Sequence, residues 1–273
     1  MNTVLELLDK GFFRLKNEGF LALTKTLARK IRRHSLPIYD DIKPSISGKC
    51  GVDVGGPSDI FSYRNLLPLY CDADRVDIIN YSENTTWSNR QNQFFLENES
   101  IINGKFFAME AGELSETHNI KYDFLVSSHC LEHLANPISA LKGWRSVLND
   151  GGDLIIVVPC AADTFDWKRP ITTLDHLVSD YECDVSEDDV THFDEVIALH
   201  DLTLDYAAGN STAFVERVKN NLNNRCVHHH TFDLDLITRL LDYCNFQVVC
   251  AYHESPHLIV WGKMLGQQQK LNP

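Results

Sequence analysis

From Cys50 onward the chain repeats one pattern, in which short apolar runs of strand length alternate with longer stretches that carry apolar residues at helical spacing. This alternation is typical of a parallel sheet whose strands are joined by crossover helices. The apolar runs occupy residues 51–54, 76–80, 106–109, 124–127 and 154–158. The sequence therefore predicts an α/β fold built on a doubly wound sheet.

Helices and a hairpin complete this predicted core. Residues 137–148 place apolar side chains on one helical face, with Asn136 as the N-cap and Pro137 at the first helical position. A second amphipathic helix is predicted over 233–244. The last apolar stretches, 246–252 and 258–263, predict a hairpin that adds an antiparallel strand at the edge of the sheet.

The first 34 residues differ from the rest of the chain, since they carry eight basic and three acidic residues around an apolar helical stripe. Such a helix can lie on an anionic membrane surface or dock a partner, or it can pack on the core with its charges in solvent. Residues 35–48, with Pro37 and Pro44, are interpreted as a linker. We predict four parts: an arm and linker (1–48), a core (49–159), an insertion (160–230) and a segment that completes the core (231–273).

Composition excludes several classes of protein. The formal net charge of −13 argues against a general nucleic-acid binder, whose affinity depends on neutralising phosphates. The eight cysteines form no CxxC pair, which favours buried thiols in a reducing cytoplasm. No apolar run reaches the roughly 20 residues that span a bilayer. We expect a cytoplasmic protein that can contact the inner face of the membrane peripherally through residues 1–34. The sequence does not indicate an oligomeric state.

Open parallel sheets bind ligands beyond the carboxyl ends of their strands. The first predicted strand ends in Asp53-Val54-Gly55-Gly56-Pro57-Ser58, which allows close backbone approach but is not the GxGxxG turn that seats a dinucleotide. A nicotinamide-dependent sugar enzyme is therefore disfavoured, and a ligand without that diphosphate fits better.

Five segments, in order, together resemble class I S-adenosylmethionine (SAM)-dependent methyltransferases. They are the glycine turn 53–58, the end of the second strand at Asn80, the segment 109–114, the stretch Tyr122 to Pro137 with its Leu-Glu-His-Leu sequence, and Gly151 to Pro159. The resemblance implies a Rossmann-like sheet of seven strands with an antiparallel last strand, and SAM as cofactor. Asn80 departs from the acid that the family usually has there, and Asp77 is the alternative if the register differs. The cofactor-binding residues implied are Asp53, Gly55, Gly56, Pro57, Ser58, Asp77, Asn80, Glu110, Ala111, Ser128 and His129.

The insertion is expected to supply the acceptor site, because it follows the fifth strand and would lie over the cofactor. It resembles bacterial methyltransferases found among the enzymes of surface-polysaccharide biosynthesis. Planar charged groups and an aromatic face suit a sugar, and the predicted acceptor-binding residues are Asp166, Trp167, Arg169 and His192. For Asp175, His176 and Asp180, a polar helix face is the alternative interpretation.

The resulting hypothesis is O-methylation of a sugar or glycan precursor, or of another small molecule. A histidine suits proton removal near neutrality, and the predicted catalytic residues are His133, His176 and His229. The alternative is a catalytically inactive binding module that docks through its basic helix. No metal is predicted, since His228-His229-His230 matches no known zinc spacing; at most two of these histidines could share an ion with a distant residue such as Asp166 or His192.

Overall fold

The computed structural model describes residues 35–63, 65–85, 95–96, 100–101, 103–114 and 120–266. The basic segment 1–34, for which an amphipathic helix is predicted, lies outside the described residues.

The strands of the described residues are β1 Cys50–Val54, β2 Arg75–Asn80, β3 Phe95–Leu96, β4 Ser100–Ile101, β5 Phe106–Ala108, β6 Tyr122–Ser128, β7 Leu148–Pro159, β8 Phe246–Glu254 and β9 His257–Met264. Seven of them form one sheet in the order β5-β2-β1-β6-β7-β9-β8, and the two short strands β3 and β4 pair separately. The five predicted apolar runs correspond to β1, β2, β5, β6 and β7. The predicted Rossmann-like sheet of seven strands is confirmed.

The antiparallel strand lies inside the sheet and not at its edge. β9 is antiparallel to both β7 and β8, and β8 forms the edge. The burial of the two strands explains this order. Leu258 to Trp261 of β9 is continuously buried, as a central strand requires, whereas β8 alternates with exposed residues.

The direction of winding reverses at β1, which is hydrogen-bonded to β2 on one side and to β6 on the other, in parallel with both. The loops that follow these strands therefore diverge at one end of the sheet. This divergence opens a crevice at the carboxyl ends of β1, β2 and β6.

Helices cover both faces of the sheet. They are α1 Pro37–Ile46, α2 Pro137–Val147, α3 Leu174–Glu182, α4 Phe193–Leu199, α5 Ser211–Lys219, α6 Asn221–Asn224 and α7 Leu234–Tyr243. Buried residues of α2 and α7 share one hydrophobic cluster with alternate residues of the strands. Buried residues of α1 pack with the strand residues of the opposite face. Among the described residues, no helix has the length and apolar character needed to cross a bilayer.

The interpretation of 35–48 as a linker is wrong, because residues 37–46 form helix α1. Pro37 occupies the helix start, where its missing N–H costs nothing. Pro44 lies inside the helix, which is unfavourable by itself. The burial of Ile38, Ile42 and Ile46 against the sheet offsets that cost.

The predicted start of α2 is confirmed, since the Asn136 side chain accepts a hydrogen bond from the backbone N–H of Ser139 at 3.0 Å.

The insertion is more ordered than its sequence pattern indicates. It contains helices α3 to α6 and a small hydrophobic cluster of its own, around Val196, Phe214 and Val218.

Candidate active site

A cavity lies at the carboxyl ends of β1, β2, β5 and β6. Six of the predicted site residues line it: Gly55, Asn80, Glu110, Ala111, His129 and His133. The rest of its lining is Ile79, Tyr81, Cys130, Leu134 and Arg225. The crevice that the sheet order creates is therefore a real cavity, and it is lined by the residues that end successive strands.

The glycine turn after β1 is held in place by Asp53. Its buried carboxylate accepts hydrogen bonds from the Ser58 N–H at 3.0 Å and the Ser58 hydroxyl at 3.2 Å, and one from the Tyr70 hydroxyl. Burial raises the pKa of Asp53 to about 6, although the hydrogen bonds from Tyr70 and Ser58 oppose the increase. Asp53 and Ser58 thus shape the turn, with Gly55 forming the cavity wall.

Both glycines of the turn are required by its geometry. Gly55 has φ of 86°, and a Cβ there would lie 2.6 Å from the Cβ of Cys130. A Cβ on Gly56 would lie 2.0 Å from a carboxylate oxygen of Asp53. The turn therefore brings bare backbone to the cavity, which is the approach that an extended nucleoside ligand needs. Pro57 continues this turn toward Ser58.

Asn80 and Asp77 occupy different places on β2. The Asn80 amide donates to the carbonyls of Gly55 at 3.2 Å and Gly56 at 2.9 Å, so it ties the end of β2 to the glycine turn. Asp77 is fully buried in the sheet, where it accepts hydrogen bonds from Arg75, from the Tyr122 hydroxyl at 2.9 Å and from a backbone N–H at 2.8 Å. These hydrogen bonds give Asp77 a structural role within the sheet. Asp77 does not line the cavity, unlike Asn80.

Arg225 of the insertion closes one side of the cavity, and no sequence motif indicates this role. Its guanidinium lies 2.7 Å from a carboxylate oxygen of Glu110 and 3.2 Å from one of Glu187. It also lies over the ring of Tyr81, 5.7 Å from the centroid. Burial raises the pKa of Glu187 to about 7 although Arg225 opposes the increase.

The loop after β6 brings two histidines to the same cavity and buries an acid between them. Ser128 ends β6, and the imidazole of His129, which follows it, lies 2.9 Å from that of His257. The Nδ1 atom of His133 lies 3.0 Å from the Val227 carbonyl. Between the two histidines, Glu132 is fully buried.

Glu132 is a second residue that the sequence analysis missed. Within the described part of the chain, neither of its carboxylate oxygens has a hydrogen-bond partner. One of them lies 3.5 Å from His129 Nδ1 and 3.9 Å from His133 Nε2. Burial raises the pKa of Glu132 to about 7. A buried carboxyl that changes its protonation near neutrality, beside a cavity, is typical of a functional site.

A second, smaller cavity lies within the insertion and contains an aspartate–histidine pair. The Nδ1 atom of His228 lies 2.6 Å from an oxygen of Asp166. Burial lowers the pKa of His228 and the Asp166 carboxylate raises it, with a net increase. Burial alone would raise the pKa of Asp166, but His228 and Arg169 hold it at about 2.

His228 connects the two cavities. Its ring lies 4.7 Å from that of His133, which lines the larger cavity, and His228 itself lines the smaller one. The rest of the smaller cavity is formed by Phe165, Asp166, Val196, His200, Phe214, Arg217, Val218, Cys226 and Val227. The His228-His229-His230 run is visible in the sequence. Its pairing with Asp166 is not, because the two residues are 62 positions apart and no local pattern relates them.

Three of the four predicted acceptor residues do not line the smaller cavity: Trp167, Arg169 and His192. The Arg169 guanidinium donates hydrogen bonds to Asp166, to Glu195 at 2.8 Å and to the backbone carbonyls of residues 228 and 229. Trp167 is 52% exposed, and its indole N–H donates to Asp201 at 2.9 Å. Arg169 therefore braces the Asp166–His228 pair, and Trp167 faces solvent outside the smaller cavity.

The remaining predicted histidines form separate contacts. His229 is buried 3.1 Å from the Asn221 amide, and burial lowers the pKa of His229 to about 4. His176 and His192 lie together, with 3.2 Å between their Nε2 atoms. Of the three predicted catalytic histidines, His133 alone lines the larger cavity among the described residues.

A family model described as a methyltransferase domain matches residues 22–251. The chain belongs to the methyltransferase domain family. It is a SAM-dependent methyltransferase of class I, as its motif order predicts. SAM is the cofactor of this fold, and the larger cavity fits it, because the bare Gly55 turn and the ends of β2 and β5 form a cradle that a side chain at position 55 would fill.

Several solved structures are similar to this chain at low identity. The N-methyltransferase NodS from Bradyrhizobium japonicum WM9 is 11% identical, with 84% of this chain and 95% of that chain covered and a TM-score of 0.45. TehB from Haemophilus influenzae is 14% identical over 84% of this chain and 62% of its own, with a TM-score of 0.45. The 1,6-didemethyltoxoflavin-N1-methyltransferase from Burkholderia thailandensis is 12% identical over 97% and 90%, with a TM-score of 0.48. A search of curated proteins found no match.

Proposed function

We propose that the methyltransferase acts on a hydroxyl group of a sugar or glycan precursor, with His228 as the general base. The observation that carries this proposal is the 2.6 Å contact between His228 and Asp166, located between the cofactor cavity and a second cavity. When bound, SAM supplies a methyl group on a positively charged sulfur, ready for in-line displacement. The protein then has to position a nucleophile, exclude water and remove a proton.

His228 and Asp166 are suited to the removal of that proton. The imidazole donates from Nδ1 to the Asp166 carboxylate, so Nε2 is the atom that accepts a hydroxyl proton. The carboxylate stabilises the imidazolium that results. Arg169 donates to Asp166 at 3.1 Å and keeps that carboxylate ionised and oriented. A neutral amine attacks through its lone pair without losing a proton first, whereas a hydroxyl needs its proton removed, which is why a hydroxyl acceptor is preferred to an amine.

The lining of the smaller cavity supports a sugar as the acceptor. Phe165 supplies an aromatic ring, which stacks on that of His200 at 4.4 Å, whereas the buried Phe214 ring packs against His200 at 4.3 Å and against Arg217. Arg217 adds a charged group to the same lining, where its guanidinium lies 2.7 Å from Asp205. Apolar faces combined with charged hydrogen-bonding groups suit the two sides of a pyranose ring.

The test is a screen of the full chain for SAM consumption against nucleotide sugars, oligosaccharides, phenols and amines, with the methylated atom identified by mass spectrometry. The proposal expects turnover with a sugar acceptor and an O-methyl product. It also expects His228→Gln to lose turnover while S-adenosylhomocysteine (SAH) still binds. Methylation confined to nitrogen or carbon, or full activity of His228→Gln, would overturn it.

A further inference from the structure

A cluster of four side chains in the insertion lies apart from both cavities. His176 and Asp180 lie on α3, His192 precedes α4, and His230 precedes α7. One ligand atom from each of the four lies within 4.8 Å of all the others. The mechanism proposed above uses none of these groups.

The distances within the cluster match a tetrahedral metal site. The Nε2 atom of His176 lies 3.2 Å from Nε2 of His192 and 3.2 Å from Oδ2 of Asp180. Oδ2 of Asp180 lies 3.8 Å from Nε2 of His230. Zinc–ligand bonds of about 2.0–2.2 Å in a tetrahedron place the ligand atoms about 3.3–3.6 Å apart, and these three separations lie on either side of that range, within about 0.2 Å of it.

Hydrogen bonding alone does not account for the cluster. Asp180 Oδ2 is buried and has no hydrogen-bond partner among the described residues, although imidazole nitrogens lie on two sides of it. A buried carboxylate oxygen without a donor is costly unless a cation compensates for it. One contact competes with metal binding. His230 Nε2 lies 3.3 Å from the Ala135 carbonyl, and a hydrogen bond between them would require a proton on the nitrogen that would bind the metal.

The arrangement of the ligands along the chain is also that of a metal site. His176 and Asp180 are four residues apart on one helix, so both side chains project from the same face. The other two ligands come from separate segments, and the site would therefore join α3, the start of α4 and the segment 228–230. Three imidazoles and one carboxylate are a donor set that suits zinc.

We propose that His176, Asp180, His192 and His230 bind a structural Zn²⁺ ion. Four protein ligands close the coordination sphere, which is characteristic of structural and not of catalytic zinc. The ion fixes His230, two residues from His228, and so holds the segment that carries the proposed base. This inference concerns a site that the sequence analysis did not predict, and it is independent of the identity of the acceptor.

The experiment measures metal bound by the full chain after exposure to Zn²⁺ and removal of the excess. About one tightly bound zinc per chain is expected, together with a fall in thermal stability on chelation. Replacement by Co²⁺ should give the intense visible absorption of a tetrahedral site. His176→Ala and His192→Ala should each lose the stoichiometric metal and that absorption.

Two features keep the test decisive. The His176 side chain is 41% exposed, so His176→Ala is expected to fold even if the buried His230→Ala does not, and SAH binding checks the fold. His253→Ala is the matched control, since His253 belongs to a separate group with Cys160 and Asp163. Loss of zinc in His253→Ala, retention in both cluster variants, or no stoichiometric zinc in the unmodified chain would overturn the proposal.

Discussion

The guanidinium of Arg225, in the insertion, lies 2.7 Å from the carboxylate of Glu110, in the loop after β5. These residues are 115 positions apart, and their contact joins the insertion to the strand ends that form the cofactor cavity. The insertion therefore completes the cofactor site, in addition to the acceptor role proposed for it.

Arg225→Ala should weaken SAH binding about tenfold, because it removes a wall of the cavity and leaves the partly buried Glu110 and Glu187 carboxylates without their partner. Isothermal titration calorimetry measures the change. Arg239→Ala is the control, since its guanidinium pairs with Asp235 at 3.4 Å on the exposed face of α7. Equal SAH affinity in the two variants would show that the Arg225–Glu110 contact does not shape the cavity.

Asp166→Asn should lower kcat by about 10²–10⁴-fold once an acceptor is known, while SAH affinity stays unchanged. The reason is that an amide neither orients the His228 imidazole nor stabilises its charge as a carboxylate does. Asp163→Asn is a matched control, because Asp163 pairs with the exposed His253 at 2.7 Å and lies outside the linings of both cavities. An unchanged kcat in Asp166→Asn would remove the aspartate–histidine pair from the mechanism.

Glu132→Gln should raise the free energy of unfolding more at about pH 8 than at about pH 5. The difference between the two increases should be up to about 3 kcal/mol. Burial raises the pKa of Glu132 to about 7, so the folded chain holds this proton more tightly than the unfolded chain. The contribution of Glu132 to the free energy of unfolding therefore decreases as pH rises from about 4.5 to about 7. Glutamine does not ionise, so the variant shows no such decrease.

Urea unfolding of both proteins at the two pH values measures the difference. Glu216→Gln, on the exposed side of α5, controls for the loss of one carboxylate. A stability change in Glu132→Gln that is equal at the two pH values would contradict the raised pKa.

The basic segment 1–34 should carry the chain to vesicles that contain anionic lipid, with binding that falls as salt increases. Replacing Arg29, Lys30, Arg32 and Arg33 with glutamine should reduce the binding at least about tenfold, since each basic residue contributes about 1 kcal/mol near such a surface. Vesicle co-sedimentation is the measurement. Equal binding to neutral vesicles would contradict an electrostatic contribution.

The strands and the α2 cap were predictable because they depend on local patterns. Asn136 and Pro137 specify a helix start by themselves, and the apolar runs specify buried strands. Helix α1 was missed because Pro44 argues against a helix locally, while burial of Ile42 and Ile46 on the sheet decides the outcome.

The site was predictable only where strand ends supply it. Gly55, Asn80, Glu110 and His129 follow from the order of the strands, whereas Arg225 and His228 meet their partners through the path of the insertion. A local sequence pattern cannot indicate a contact between residues that are 62 or 115 positions apart. The zinc ligands were missed for the same reason, since they come from three separate segments.

SAM should bind in the cavity built on the glycine turn, and calorimetric titration of SAH measures that binding. The full chain should bind one SAH, and Gly55→Ala should not, because its Cβ would lie 2.6 Å from that of Cys130. Gly151→Ala, at a similar φ of 73° but with open space around it, should bind SAH as the unmodified chain does. No SAH binding by the unmodified chain at millimolar ligand, or equal binding by Gly55→Ala, would show that the cofactor does not bind on this turn.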